Sequence, residues 1–179
     1  AYPSESRLRR LLADTLGEEE LQRSYSDQVR RWFEAASHHF RPDAVRLAAS
    51  HIYVAGGVES VESERPIQLG GAYTVAAKAL PAAAQYVALG HLHRPQMVRS
   101  APTAARYAGS PIAYSFGEAS HAKSVTIVDA SPGDREAAVT TIPIQAGRPL
   151  VVWQARNGLH EVERWVEEGK DPDAWIDLE

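Results

Sequence analysis

The chain has 179 residues, 44% of them hydrophobic and 23% charged, an ordinary balance for a globular protein with a core of its own. With no cysteine, disulfides and Cys-ligated zinc or iron–sulfur sites are excluded, and no apolar run is long enough to span a membrane. The formal net charge of −4 excludes a basic surplus as the means of gripping nucleic acid, so action on DNA would need metals, a local patch or a partner.

Ala1-Tyr2-Pro3-Ser4-Glu5-Ser6 is neither a natural start nor a signal peptide, and a cytoplasmic protein is expected. Ser4 or Ser6 can cap a first helix through Leu8, Leu11 and Leu12 that closes near Gly17. Glu18, Glu19 and Glu20 suit the positive end of a second helix. Its apolar side runs Leu21, Tyr25, Val29, Trp32 or Phe33 and Ala36 at close to helical period. Arg23, Arg30 and Arg31 lie among acids on this helix and read as a solvated face rather than a DNA site.

Arg41-Pro42-Asp43 ends the helix, and Ala44 to Ser50 reads as a buried strand that ends at His51. A loop or hairpin region follows, through Gly56-Gly57 to Gly70-Gly71. Tyr86-Val87-Ala88-Leu89 is a continuous apolar run and reads as a second buried strand. Ala104–Tyr107, Ser124–Ala130 and Ala137–Ile144 are further expected strands, the last two a hairpin turned by Pro132-Gly133-Asp134. Leu150–Gln154, a helix over Leu159–Glu168 and an alternating strand at Ala174–Glu179 complete the pass. That tail stops in mid-element, so both ends read as cut and the chain as a piece of a longer protein. A domain boundary is expected at Gln145–Pro149, giving units of 1–147 and 148–179.

The chemistry gathers around Gly90-His91-Leu92-His93. Gly90 lets the backbone bend where a Cβ would be in the way. His91 and His93 are offset by two, so in extended conformation both imidazoles leave on one side. His51 stands at the end of another strand, and ligands of α/β sheets bind beyond the carboxyl ends of strands. Three histidines at two strand ends could converge on one ion, since neutral imidazole suits Mn, Fe, Zn or Ni. The plainer reading is of partly exposed rings bonded to backbone or water. His38, His39, His121 and His160 lack this context and read as surface residues. Arg94 could reach a phosphate or pair with an acid; Ser110 and Glu118 could line the cleft, and Tyr107 and Phe116 read as core.

The stretches ASHIYVAGG (Ala49 to Gly57), GHLH (Gly90 to His93) and RYAGSPIAYSFGE (Arg106 to Glu118) resemble the later motifs of calcineurin-like metallophosphoesterases. Their spacing, together with SERPIQLGGAYTV (Ser63 to Val75) and YPSESRLRRLL (Tyr2 to Leu12), resembles the SbcD-type nuclease subunits in particular. The fold this implies is α/β, part of a two-sheet β-sandwich flanked by helices and incomplete here. The activity implied is a two-metal phosphodiesterase, preferring Mn with Mg possible, that trims and nicks DNA ends and hairpins. His51 and His91 would hold one metal and His93 the other, with Arg94 on substrate. The tail from residue 148 would begin a DNA-facing cap. The implied partners are DNA and an SbcC-type ATPase, in a heterotetramer containing a homodimer of this subunit. The family's site also needs an Asp-x-His, a Gly-Asp with a bridging Asp, and an Asn-His-Asp. None of these occurs as such: Gly133-Asp134 sits in the hairpin turn, and Asn157 precedes Gly158 as a turn or cap. No catalytic residue is therefore expected in this chain, which by itself should be inactive. A small-substrate metallophosphatase and a non-catalytic module docking an ATPase or a DNA end remain as alternatives.

Overall fold

The computed structural model describes residues 18–60 and 73–179. The expected first helix, and most of the polar stretch before Gly70-Gly71, lie outside the described residues.

Helix α1 (Glu18–Ser37) buries Tyr25 and Val29, one turn apart, and half-buries Phe33. Trp32 turns outward instead. Arg30 donates to Glu34 at 2.7 Å and lies near Asp27, so it stands on a solvated face as the mixed charge predicts. Inward-facing Ser26 accepts a hydrogen bond from the Ala76 backbone N–H at 3.0 Å, and Tyr25 meets Tyr73 edge-on at 5.5 Å. These contacts pin α1 to strand β3 (Thr74–Val75) and to the 3₁₀ turn at Ala77–Ala79.

The main sheet has four strands in the order β1-β4-β6-β5. Strands β1 (Leu47–His51), β4 (Tyr86–Gly90) and β6 (Ala105–Tyr107) run parallel, and β5 (Gln96–Met97) closes the far edge antiparallel to β6. Tyr86, Val87 and Leu89 of β4 are buried, as a strand with neighbours on both sides should be. The buried strand expected at Ala44–Ser50 is corrected. Strand β1 begins at Leu47, lies at the sheet edge, and alternates exposed with half-buried residues, so only one of its faces meets the core. After His51, β2 (Tyr53–Val54) pairs parallel with β3, so these two strands are not the arms of a hairpin.

Two buried side chains hold this frame together. Tyr107, fully buried, donates its hydroxyl hydrogen to Ile52 O at 2.9 Å and accepts from Val54 N–H at 2.8 Å, fixing the chain just after His51. Gln85, also fully buried, accepts from Arg46 N–H at 2.8 Å and donates to Ser131 O and Asp134 O at 2.8 and 3.0 Å. Gln85 thereby ties the turn of the next hairpin to the start of β4.

That hairpin joins β7 (Lys123–Asp129) and β8 (Ala138–Ile144) around the expected turn, where Asp134 accepts from Ser131 N–H at 2.8 Å. Beyond it, β9 (Leu150–Trp153), helix α2 (Leu159–Glu167) and β10 (Trp175–Leu178) form the expected strand–helix–strand unit, with β9 and β10 parallel. Asn157 lies in the turn before α2, where Glu161 accepts from its backbone N–H at 3.0 Å and its side-chain amide at 3.2 Å. The described residues thus form a mixed α/β protein, with one four-stranded sheet and three two-stranded pairs. No described helix is long and apolar enough to cross a membrane.

Candidate functional site

Parallel pairing of β1 with β4 sets His51 directly opposite Gly90. A Cβ on Gly90 would lie 2.9 Å from His51 Nδ1, so only glycine leaves this imidazole its place over the neighbouring strand. The bend expected of Gly90 comes one residue later: His91 takes φ +111°, a conformation that side chains other than glycine rarely adopt.

This strained residue decides the geometry of the site. Extended backbone would send His91 and His93 to the same side, but extension ends at Gly90 and His91 has positive φ. The His91 ring lies edge-on to His51 at 5.5 Å and to Tyr53 at 6.1 Å. Leu92 between them is buried in the core and anchors the loop. His93 meets the Tyr114 ring at 5.1 Å and places Nδ1 2.8 Å from Glu118 Oε1.

The structure sets the His51 and His91 rings side by side and gives His93 a support in Glu118 and Tyr114. Among the described residues, no three His, Asp or Glu side chains stand close enough to hold an ion. The donor types present are nevertheless those a divalent cation takes. Imidazoles stand at two adjacent strand ends, and one already has a carboxylate at its second ring nitrogen, as metal-binding histidines usually do. Arg94 is exposed, and its guanidinium makes no ion pair with the described residues. Burial, and secondarily Glu59, raise the Tyr53 phenol above its ordinary pKa, so it stays protonated and donates to Gly57 O at 2.9 Å.

The support of His93 is the part that spacing could not show. Glu118 ends a 3₁₀ turn (Phe116–Glu118) and is fully buried. Its Oε2 takes the Lys123 ammonium in a close ion pair, with Lys123 also nearly buried. Ser110 joins the cluster, accepting from Lys123 at 2.8 Å. Gly109 (φ +82°) lets β6 exit close to this loop; a Cβ there would come within 2.8 Å of His93 O. Tyr107 is core, as expected, whereas Phe116 is only half-buried and lies outside the core cluster. His38, His39 and His160 are exposed, whereas His121 is half-buried with Nδ1 3.5 Å from Ser60 Oγ.

Fold and site together define an α/β protein with a histidine cluster where its parallel strands end, the position at which such sheets bind ligands. No family model matches the chain. It is 60% identical over all 179 residues to a protein of Bacillus subtilis (strain 168) named as the SbcD component of the SbcCD nuclease, of which it covers 45%. A Rhodobacter capsulatus protein of the same name is 38% identical over 105 residues, 59% of this chain and 25% of the relative. The Escherichia coli (strain K12) protein is 31% identical over 135 residues, 74% of this chain and 33% of the relative. The chain thus spans less than half the length of the curated relatives it matches. The resemblance carried by its motifs holds along the full chain, which is homologous to SbcD-type nuclease subunits.

Proposed function

We propose that this chain is part of the nuclease subunit of an SbcCD-type complex. Its activity would be Mn-dependent double-strand exonuclease and single-strand or hairpin endonuclease, serving DNA repair, recombination and replication. One observation carries the reading: the histidine corner stands at the carboxyl ends of β1 and β4 in a chain 60% identical to a protein of that name.

In this reading His51 and His91 hold one divalent ion and His93 a second, and Arg94 meets a phosphate of the substrate. Two such ions, when bound, supply charge stabilisation and an activated nucleophile for phosphodiester hydrolysis. The chain's own residues then position and exclude. Gly90 clears the space for His51, Leu92 anchors the loop, and Tyr107 fixes the backbone that follows β1. Glu118 is held by Lys123 and His93, so among the described residues the corner offers imidazoles without a carboxylate ligand. Such a set is half of a two-ion site, and the isolated chain is expected to be inactive. Residues 1–147 are proposed as part of a metallophosphoesterase nuclease domain whose two sheets pack as a sandwich, and 148–179 as the start of a cap. DNA and an SbcC-type ATPase are the proposed partners.

Cleavage of linear duplex and hairpin DNA in Mn²⁺ tests this. The isolated chain should cleave neither, while the protein that carries it should cleave both and lose activity on His93→Ala. Robust cleavage by the isolated chain, lost in His91→Ala, would overturn the half-site reading. An active parent indifferent to all three histidine substitutions would overturn the site.

A further inference from the structure

Glu118 is fully buried, and it meets the histidine corner at His93. We infer that Glu118, kept ionised by Lys123, is a positioning residue that fixes His93 as its Nδ1–H tautomer and so assigns the Nε2 lone pair to a divalent cation. This deepens the metal-ligand reading of His93 and rests on it.

A carboxylate with a fully buried side chain stays charged only if it is paired, and the Lys123 ammonium on Oε2 supplies the pair. Lysine can only donate and an ionised carboxylate can only accept. Tyr114 N–H adds a longer donor to Oε2 at 3.4 Å. Ser110 has one hydroxyl hydrogen, and its short contact to Ile112 O at 2.8 Å takes it, so its oxygen accepts from Lys123 rather than donating to Glu118. At Oε1 the hydrogen must then come from His93 Nδ1, 2.8 Å away. In the neutral ring the lone pair consequently belongs to Nε2.

The main chain holds the same orientation. Ser110 N–H donates to His93 O at 3.1 Å, and Lys123 Nζ lies 3.5 Å from that oxygen. Both backbone and ring of His93 are thus tied to the segment between β6 and β7. Glu118 acts through His93 rather than as a ligand, because an ion would have to displace a buried ammonium from Oε2 or the His93 ring from Oε1.

The test is the His93 tautomer, read by long-range ¹H–¹⁵N correlation on the full chain labelled with ¹⁵N-histidine. Mn²⁺ affinity is measured alongside by counting the free ion with electron paramagnetic resonance. The wild type should show His93 protonated at Nδ1. Glu118→Gln should mix or reverse the tautomer and weaken Mn²⁺ binding about 10–100-fold. Should that variant fail to fold around an unpaired Lys123, the charge-neutral pair Glu118→Gln with Lys123→Met replaces it, with the same expectation. An Nδ1–H tautomer that survives in Glu118→Leu with Lys123→Met, where position 118 has no acceptor, overturns the inference, since something other than Glu118 then sets it. A tautomer that changes with Mn²⁺ affinity unmoved overturns the link to the ion. His93→Ala locates that failure: if it also leaves affinity unmoved, the ligand reading has failed, and if it weakens binding, the positioning step has.

Discussion

The histidine corner and the carboxyl-terminal strand–helix–strand unit are both parallel-strand structures, yet they are held in opposite ways. At the corner, a strained backbone residue, a buried ion pair and a tyrosine bridging two backbone groups fix a few side chains in place. In the tail unit, helix α2 buries no residue, and Leu159 and Val166 are 75% and 65% exposed. Its cohesion comes from Trp153 meeting Trp165 edge-on at 5.3 Å, with the Lys170 ammonium 3.8 Å from the Trp165 ring centre. Arg148 belongs to this unit too, lying 4.8 Å from the Trp175 ring and donating to Asp173 O at 2.8 Å. Orientation is preserved at the corner at a cost in strain and desolvation, whereas the tail shows only ordinary surface packing. Chemistry that depends on ring direction belongs at the corner.

The sharpest way to break the contrast is to break the buried pair. Glu118→Ala leaves the Lys123 ammonium, 8% exposed, without its carboxylate, and should destabilise the chain by about 3–5 kcal/mol. Urea unfolding measures it. The double change Glu118→Gln with Lys123→Met should recover most of that loss, because a neutral pair of similar shape has no stranded charge. A single variant as stable as the double one would mean that the pair does not govern the corner.

Next in size is Tyr107→Phe. The change strands Val54 N–H and Ile52 C=O, both served by the buried hydroxyl, and should cost about 2–4 kcal/mol. Hydrogen exchange at Val54 should rise with it. Since Ile52 follows His51 directly, His51 ring resonances should shift while those of Trp165 in the tail stay put. Equal shifts in both would show that the two regions are coupled.

The frame is legible in the sequence because it obeys periodicity. Tyr25, Val29 and Phe33 have helical spacing, β4 is an unbroken apolar run, and Pro132-Gly133-Asp134 marks its turn. What sequence cannot carry depends on neighbours. The edge position of β1 is a property of strand order, so from sequence the run reads as buried although it alternates. The directions of His91 and His93 depend on one φ angle, and the two-residue spacing puts them on one side only where the chain is extended. Lys123 gives no signal, standing just before the strand expected at Ser124, because its partner is found only in the folded chain. Glu118 is legible as a cleft residue, though not as the support of His93.

A subtler change separates strain from chemistry at His91. Holding φ +111° costs a non-glycine residue about 1–3 kcal/mol, while a glycine's extra freedom in the unfolded chain offsets up to about 1 kcal/mol. His91→Gly should therefore be more stable than His91→Ala by about 1 kcal/mol in parallel thermal melts, with both losing any binding that depends on the ring. If alanine is the more stable, the backbone at His91 is relaxed, and the corner gives up less for its geometry than the contrast with the tail requires.

The smallest effect belongs to the tail. Lys170→Met keeps the aliphatic length over Trp153 and Trp165 and removes only the charge, so the loss is the cation–π attraction, about 0.5–1 kcal/mol at an exposed site. It should appear as a slight drop in the melting temperature, together with a change in tryptophan fluorescence as the ammonium leaves the indole face. The His93 tautomer should not move, because the rings under Lys170 belong to Trp153 and Trp165, whereas the contacts of Glu118 described above are with His93, Lys123 and Tyr114. The link that could defeat this expectation is the packing of β9 against the 3₁₀ turn that carries Glu118. If removing one exposed charge from the tail altered the ring nitrogen that bears the proton at His93, that packing would transmit orientation. The strand–helix–strand unit would then be part of the machinery that aims the site.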